Sequence, residues 1–382
     1  MSTPSPAAAT AFEIALTPVA SIDGAAWDDL FARAHDAHPH FSRHVLAAHG
    51  AAGLAPADLA AVTVARAGRL EALLPYRTAR DLSGLGARVA RPFLTPFVTA
   101  TDPLLAAGGA AIDAEAADAL VAGLARASGG GAWRWPLLRL DSPAGTAMRA
   151  AMGRAGWSLG PVATFARPVL ARRASLDAFQ AGHPNRSRLK DLRRRTKRLS
   201  ETGLLRLDSA TGGAALAAAV ENFLALERAG WKGEAGTAMA CRPPHAALAR
   251  ALFAEGAGPV TARADSLTLD GRPIAISLAL VGSGTATLLK TAYDEGLRAQ
   301  APGLVLEAEI VRACHETRFA DRLDSATLAG SALESLYPER EILAEVIAVP
   351  PGADRPSLER RIRLARFEQR AREAAKTALR RR

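Results

Sequence analysis

Cysteine is nearly absent from this chain of 382 residues, which contains only two. Cys241 and Cys314 are far apart and belong to no cluster with metal-ligand spacing, which argues against a zinc site or a disulfide framework. Two isolated thiols are typical of a reducing compartment, and the first residues lack the positive charge of a secretory signal peptide. We therefore expect a cytoplasmic protein without a bound metal.

Aromatic residues and long apolar runs are scarce as well. Aromatics make up 5% of the chain, so a hydrophobic content of 49% must build its cores mainly from alanine, leucine and valine. No run of about 18 apolar residues occurs, so we expect no transmembrane helix. The chain is longer than most single domains, and two domains are the expectation from length alone.

The formal net charge of +10 is concentrated in two short stretches. Residues 186–198 contain eight basic residues and one acidic residue, and residues 355–382 contain eleven basic and three acidic residues. Because the rest of the chain is net negative, the charge gives little support for a nucleic-acid partner. Each stretch is most simply a solvated helix face. The first could instead hold an anionic acceptor, and the second could make peripheral contact with an acidic membrane.

Hydrophobic periodicity and turn signals predict the same order of elements twice. Each half reads as strand, two helices, hairpin, strand, helix, strand, helix and strand. The strongest hairpin signal is the Asp270-Gly271 pair between residues 260–269 and 272–281. We therefore predict an α/β (α+β) protein with four segments: a disordered stretch 1–11, domains 12–170 and 171–349, and a basic, helical tail 350–382.

One stretch of the second half predicts a phosphate-binding site. Residues 285–293 have the apolar, β-rich character of a buried strand, and residues 294–303 contain two glycines and a proline. Leu304, Ala308 and Val311 then recur at helical spacing. A helix that begins there directs its free N–H groups toward the loop, where anions bind. An ordinary strand–helix connection is the alternative interpretation.

The loop before this helix carries a recognisable signature. Arg298-x-x-Ala301-x-Gly303 resembles the Arg/Gln-x-x-Gly-x-Gly/Ala signature with which GNAT acyltransferases hold the pyrophosphate of acyl-coenzyme A. It departs from the signature at Ala301, where the family has glycine, and it contains Pro302. An arginine suits the role because its guanidinium can grip a phosphate with two parallel hydrogen bonds. The resemblance implies six cofactor-binding residues on the strand edge, loop and helix start: Thr291, Ala292, Arg298, Ala301, Gly303 and Leu304.

Further motifs of the second half follow one another in a fixed order. They are Asn185–Leu199, Phe223-x-x-Leu226-Glu227-x-x-x-Trp231-Lys232, Asp270-Gly271-x-Pro273-Ile274-Ala275, and Lys290-x-x-Tyr293-Asp294-Glu295 followed by Pro302-Gly303. With these motifs, residues 175–340 resemble the CelD/BcsL-type acetyltransferases of the GNAT superfamily, bacterial proteins linked to cellulose and other exopolysaccharide synthesis. The chain departs from them at Pro338, because relatives often have a Tyr-Lys pair where this sequence has Tyr337-Pro338.

The resemblance implies tandem GNAT-like acyltransferase folds, each a mixed, mostly antiparallel sheet flanked by helices. It also implies acetyl-CoA or another acyl-CoA as the co-substrate and a sugar or polysaccharide precursor as the acceptor. The corresponding loop of the first half, around residues 102–109, contains no arginine. Only the second half is therefore expected to keep a donor site, and the first half is expected to shape the acceptor cleft.

Acyl transfer also needs a group that deprotonates the attacking amine or hydroxyl. The catalytic candidates are Asp294 at the strand end, Glu227 on a helix face, and Tyr293, which could protonate the leaving thiolate. Their alternative interpretations are a turn-forming aspartate, a salt-bridged glutamate, and a core tyrosine with its hydroxyl at the rim. Trp231 and Lys232, in a predicted loop, are the candidates for acceptor binding: one to stack on a sugar, the other to bind a phosphate or carboxylate. Ordinary packing is the alternative for both.

The leading hypothesis is an acyltransferase that moves an acyl group from coenzyme A to an amine or hydroxyl by direct attack. No Ser–His–Asp or Cys–His order indicates a covalent nucleophile. Two alternatives remain open from the sequence. One is a Fem-type transferase with aminoacyl-tRNA as donor and the basic stretches on RNA phosphates. The other is a non-catalytic member that acts as a partner in polysaccharide assembly.

Overall fold

The computed structural model describes residues 11–256, 258–327, 330–352 and 355–380. Apart from Ala11, the stretch predicted to be disordered lies outside the described residues. Within them, one sheet of 13 strands runs through both halves of the chain. The predicted α/β class is confirmed, and each half shows the predicted order of elements up to its last helix, which is a short 3-10 helix in the second half.

From residue 11 onward, the described part of the first half contains nine strands and four α-helices. Strands β6 and β7 form a separate two-stranded sheet. The strands are β1 (Phe12–Pro18), β2 (Ala60–Arg66), β3 (Arg69–Arg80), β4 (Arg88–Pro92), β5 (Leu104–Leu105), β6 (Ala107–Gly108), β7 (Ala111–Ile112), β8 (Trp133–Arg139) and β9 (Ser158–Ala171). The helices are α1 (Gly24–Arg33), α2 (Arg43–Ala51), α3 (Ala114–Ala127) and α4 (Pro143–Arg154).

The second half adds six strands and, with the C-terminal tail, seven α-helices among the described residues. The strands are β10 (Leu205–Ala210), β11 (Thr261–Leu269), β12 (Arg272–Gly282), β13 (Thr285–Tyr293), β14 (Arg322–Asp324) and β15 (Glu339–Val349). The helices are α5 (Leu176–Gly182), α6 (Arg186–Ser200), α7 (Gly213–Ala229), α8 (Trp231–Glu234), α9 (Pro243–Leu252), α10 (Pro302–Thr317) and α11 (Arg355–Arg380).

Two predicted loops are helical in the structure. Trp231 and Lys232 begin the short helix α8 rather than lying in a loop. The predicted loop 294–303 contains the 3-10 helix Glu295–Gln300, and α10 begins at Pro302. Proline is favoured at the first helical position, because its fixed φ suits the helix and its missing N–H needs no partner there.

The last strand of each half pairs with strands of the other half. The strand order is β1-β2-β3-β4-β8-β15-β9-β14-β13-β12-β11-β10, and β5 pairs with β3. Thus β15 lies antiparallel between β8 and β9, and β9 pairs antiparallel with β14. The division into domains near residue 170 stays a prediction about the sequence, because the sheet itself is continuous across it.

Apolar residues on the two faces of β12 pack against helices on both sides of the sheet. Ile276, Leu278 and Leu280 belong to a large core that also contains Phe223 of α7 and residues of the first half. Residues on the opposite face, including Ala279, pack in a second core beneath α5, α6 and α10. This alternation follows from the two-residue period of a strand. A third, small cluster holds α11 against β9 and β15.

None of the helices in the described part of the chain is both long enough and apolar enough to cross a membrane. The same residues contain no group of three or more His, Cys, Asp or Glu side chains placed to hold a metal ion. Cys241 is exposed and Cys314 is buried, and both are free thiols.

Candidate active site

A groove of about 500 Å³ opens where β13 and β14 separate. The two strands pair in parallel only over residues 285–287 and 322–324, and beyond these pairs their backbones diverge. The groove is lined on one side by β13, on the other by residues that follow β14, and at its end by the first turns of α10. A β-bulge at Leu289 interrupts the β13 edge, because Leu278 of β12 faces Lys290 whereas Ala279 faces Leu288.

The structure brings most of the predicted donor residues together in this groove. Five of the six line it: Thr291, Arg298, Ala301, Gly303 and Leu304. The sixth, Ala292, is buried in the sheet and is not among the lining residues. The cofactor-binding roles of all six remain predictions.

Directly before α10 lies Ala301, the residue at which the sequence departs from the GNAT signature. Ala301 has φ 52° and ψ 56°, the left-handed conformation that glycine adopts without strain and that other residues adopt at a cost of about 1–2 kcal/mol. Alanine therefore adopts the conformation expected of the glycine it replaces. Gly303 packs closely against Tyr293, because a Cβ on residue 303 would lie 3.2 Å from Cδ1 of that ring, which is tighter than an ordinary van der Waals contact.

The N-terminus of α10 is open to an anionic ligand. Ala301 provides no side-chain cap, so the first-turn N–H dipoles carry their positive end into the groove. Arg298 is exposed beside it, and its guanidinium makes no hydrogen bond or ion pair with any described residue. The loop itself is held by Arg195 of α6, whose Nη1 donates to the carbonyl oxygen of Ala299 at 2.6 Å. An anion at this point would meet a helix N-terminus and a free guanidinium.

Glu307, in the second turn of α10, is the one carboxylate among the described residues that line the groove. It is 3% exposed. The hydroxyl of Thr291 donates to its Oε1 at 3.2 Å, and the hydroxyl of Tyr337 donates to its Oε2 at 3.3 Å. Burial raises the pKa of Glu307 to about 7, and the hydrogen bond from Thr291 opposes this shift. A carboxylate with such a pKa can accept a proton at neutral pH, as a general base must.

The three catalytic residues predicted from the sequence occupy different surroundings. Tyr293 lines the groove beside Gly303. Asp294 does not line it: its Oδ1 caps the 3-10 helix by accepting from Gly296 N, and its Oδ2 pairs with Arg272 at 2.7 Å. This is the turn-forming geometry of the alternative interpretation. The catalytic roles of Tyr293 and Asp294 stay predictions, and the geometry favours the first over the second.

Glu227 and the two predicted acceptor residues lie on the opposite side of β13 from α10. Glu227 is buried, and its carboxylate accepts from Lys232 Nζ at 2.9 Å and from Met239 N at 2.8 Å. Trp231 is 52% exposed, with its backbone N–H bonded to Glu295. The contacts of Glu227 are therefore those of the salt-bridged alternative. The exposed part of the Trp231 side chain is accessible to a ligand.

Sequence reasoning missed Glu307 and Lys290 as site residues. Lys290 lines the groove at the bulge, and its ammonium group lies 5.0 Å from the ring centroid of Phe97 in the first half. Burial lowers the pKa of Lys290, and nearby Lys232 lowers it further. Both residues are ionisable groups inside otherwise apolar elements, the strand 285–293 and the helix start Leu304-Val305-Leu306. That interruption was the signal that could have identified them.

Comparisons with known proteins agree with this geometry. Residues 186–328 match the family model of the acetyltransferase (GNAT) domain. A search of curated proteins finds no match.

Solved structures with the same fold cover most of the chain. The C-terminal domain of a candidate lysylphosphatidylglycerol synthetase from Agrobacterium fabrum has 15% identity and a TM-score of 0.52. The superposition covers 87% of this chain and 92% of that domain. A conserved protein of unknown function from Bacteroides thetaiotaomicron has 13% identity and a TM-score of 0.54, covering 88% and 100%. FemX has 10% identity and a TM-score of 0.54, covering 88% and 97%. At these identities the likeness is one of fold alone.

The fold and the matched domain define the class of the protein. The chain carries a GNAT-type acetyltransferase domain in its second half, within the predicted mixed α/β architecture of GNAT-like folds. It is an acyltransferase.

Proposed function

We propose that the protein transfers an acyl group, most simply acetyl, from acyl-coenzyme A to an amine or hydroxyl by direct attack on the thioester. The observation that carries this proposal is the groove between β13 and β14, where the open N-terminus of α10, Arg298 and the buried Glu307 occur together. The pyrophosphate would lie against α10 and Arg298. The pantetheine arm would follow the β13 edge at Thr291 and Ala292.

The bulge in β13 suits the reacting end of the donor. The bulge leaves Leu289 without a partner residue on β12, and in this proposal its backbone polarises the thioester carbonyl and stabilises the oxyanion that forms there. The nucleophile of the acceptor attacks the carbonyl carbon, and the carbon–sulfur bond breaks. Glu307 takes the proton of the nucleophile, and the coenzyme A thiolate leaves. Tyr293, which lines the groove beside Gly303, is the proposed proton donor to that thiolate.

The acceptor in this proposal is a sugar or polysaccharide precursor, and the reaction belongs to cellulose or another exopolysaccharide pathway in the bacterial cytoplasm. The resemblance of residues 175–340 to CelD/BcsL-type acetyltransferases supports this choice. The exposed ring of Trp231 supports it as well, because an indole face open to solvent can stack on a sugar.

Titration calorimetry with acetyl-CoA and longer acyl-CoAs tests the donor site. Saturable binding is expected, and Arg298→Ala should weaken it about tenfold or more, because two charge-assisted hydrogen bonds to phosphate are lost. In turnover assays the same variant should raise the Michaelis constant for acyl-CoA and change kcat little, because Arg298 lies at the phosphate end of the groove.

Arg206→Ala is the matched control for that experiment. Arg206 is an exposed arginine on β10, at the far edge of the sheet, and its side chain makes no contact in the groove. Its substitution should leave acyl-CoA affinity unchanged. Absence of acyl-CoA binding by the wild-type protein would overturn the donor assignment, and equal weakening by both substitutions would remove the specific role of Arg298.

A further inference from the structure

A second cavity of about 140 Å³ lies beside the groove, between the two halves. Leu289, Lys290 and Ala326 line both cavities and so form the boundary that the groove and this chamber share. The remaining walls are contributed by residues 96–99 of the first half and by residues around α9, and most of them are apolar. The bulged part of β13, where the proposed thioester would lie, thus faces a compartment built by both halves.

Lys290 brings an unbalanced positive charge to this chamber. Its side chain packs against Phe97 and forms no hydrogen bond or ion pair with a described residue. The nearby carboxylate of Glu227 is already bonded to Lys232 and to the backbone of Met239. One glutamate therefore faces two lysines, which leaves one net positive charge.

No other described group near Lys290 supplies the missing negative charge. His245, which packs edge-on against Phe97, is the remaining titratable neighbour. Burial lowers the pKa of His245, with Arg242 and Lys290 adding to the effect, so this side chain is neutral at physiological pH. A partly buried ammonium group without a counter-ion is unfavourable. An anionic ligand would remove that penalty.

We propose that the chamber holds the reacting end of the acceptor and that Lys290 selects acceptors with a carboxylate beside the nucleophile. The inference rests on the proposed function, because it takes the β13 bulge as the position of the thioester. Lys290 lies at that same bulge, so the carboxylate and the attacking amine or hydroxyl belong to one small part of the acceptor. Lys290 undergoes no bond change in the reaction and determines specificity.

The lining favours a carboxylate over a phosphate. The polar side chains among the described residues of the chamber are one ammonium group, at Lys290, and one hydroxyl, at Thr99. Phosphate sites use several donors for a group that carries up to two charges, whereas one lysine matches the single charge of a carboxylate. Amino acids and sugar acids both present a carboxylate close to an amine or hydroxyl, and the experiment must separate these two sources.

Calorimetric titrations with matched acids and neutral partners test the inference. The probes are phenylacetate with phenylacetamide, L-leucine with L-leucinamide, and glucuronate with glucose. Each is titrated into wild type, Lys290→Met, Lys290→Arg and the control Lys190→Met, in the presence and absence of coenzyme A. Lys190 is an exposed lysine of α6 outside both cavities. Melting temperatures show whether each variant is folded.

At least one acid should bind wild type and Lys190→Met about tenfold or more tightly than its neutral partner. The preference should disappear in Lys290→Met and return in part in Lys290→Arg. The leucine and glucuronate pairs show which source of carboxylate is preferred. The inference is overturned if no pair shows a preference, or if Lys290→Met keeps it. Coenzyme A binding without acid preference overturns this inference alone, whereas absence of coenzyme A binding overturns the proposed function.

Discussion

The sheet separates at equivalent places in the two halves, but only one of the two gaps is open. In the first half β4 and β8 make one parallel residue pair and then diverge, as β13 and β14 do after three pairs. Residues 99–102 fill the first gap: the backbone N–H of Thr101 donates to Leu137 O at 3.1 Å, and Trp135 Nε1 donates to Thr101 O at 3.0 Å. The second gap is the groove of the candidate active site.

The polar groups in the two gaps differ in whether their hydrogen-bond partners lie within the protein. In the first, the buried Asp102 accepts hydrogen bonds from the backbone and side chain of Arg139, so both charges are satisfied inside the protein. In the second, Arg298 and the N-terminus of α10 have no such partner among the described residues. The same strand geometry thus builds a sealed core in one half and leaves donors for a ligand in the other.

The largest effect is expected from Glu307→Gln in the open gap. If Glu307 is the general base, kcat should fall about 100- to 10,000-fold, because glutamine cannot accept the proton. Wild-type kcat/KM should rise with pH through the pKa of about 7, since only the ionised carboxylate is active, and the rise should vanish in the variant. Steady-state kinetics across this pH range provide the measurement.

Tyr337→Phe is the control that separates a catalytic from a structural Glu307. The tyrosine hydroxyl donates to Glu307 and so lowers its pKa; without this bond the rise in activity should move to higher pH, with the plateau rate largely retained. An unchanged pH profile in Glu307→Gln would exclude Glu307 as the titrating base.

The pH dependence of folding stability gives an independent measure of the pKa of Glu307. The pKa of Glu307 is raised from 4.5 to about 7 on folding, so its contribution to stability is present below pH 4.5 and is lost as pH rises through about 7. Wild type should therefore lose stability over this window relative to Glu307→Gln.

A large effect on stability alone is expected from Asp102→Ala in the filled gap. The substitution leaves the Arg139 guanidinium buried without its main counter-ion, and breaking such a pair costs about 3–5 kcal/mol. Chemical denaturation should show this loss. Acyl-CoA affinity, measured where the variant is folded, should change little, because residue 102 does not line the groove.

Asp102→Asn is the companion variant for that prediction. An amide oxygen can still accept from the Arg139 backbone N–H, which Asp102 Oδ1 contacts at 3.0 Å, so the loss should be smaller than for alanine. If both variants bind acyl-CoA much more weakly than wild type, the two gaps are coupled, and the division between a structural and a functional gap fails.

The comparison of the two gaps also shows which features of the fold and of the candidate site the sequence could predict. Periodicity predicted the order of elements, because strands and helices alternate with clear turn residues such as Asp270-Gly271. The signature around Arg298 predicted the position of the groove. What the sequence could not predict depends on contacts between distant segments: the exchange of β9 and β15, the filling of the first gap, and the bond between Tyr337 and Glu307.

The catalytic candidates stay predictions, because the surroundings of their side chains depend on the same kind of contact between distant segments. Asp294 follows a strand and Glu227 lies on a helix face, and local pattern alone made both plausible. Their ion pairs with Arg272 and Lys232 appear only when the chain is folded. Glu307 was overlooked because its desolvation depends on packing against β13 and Tyr337. A charged residue inside an apolar helix start was the local signal for it.

The smallest effect is expected at Ala301, where the open gap carries a strained residue. Ala301→Gly should relieve a conformational cost of about 1 kcal/mol, partly offset by the greater freedom of glycine in the unfolded chain. Stability should rise by a few tenths of a kcal/mol up to about 1 kcal/mol. Ala299→Gly is the matched control: it lies in the adjacent 3-10 helix with ordinary helical backbone, so glycine should destabilise there by about 0.5–1 kcal/mol. Chemical denaturation of both variants measures the difference in sign. Equal destabilisation by both substitutions would show that the left-handed turn at Ala301 carries no net cost for alanine, and that alanine is more stable than glycine at this position.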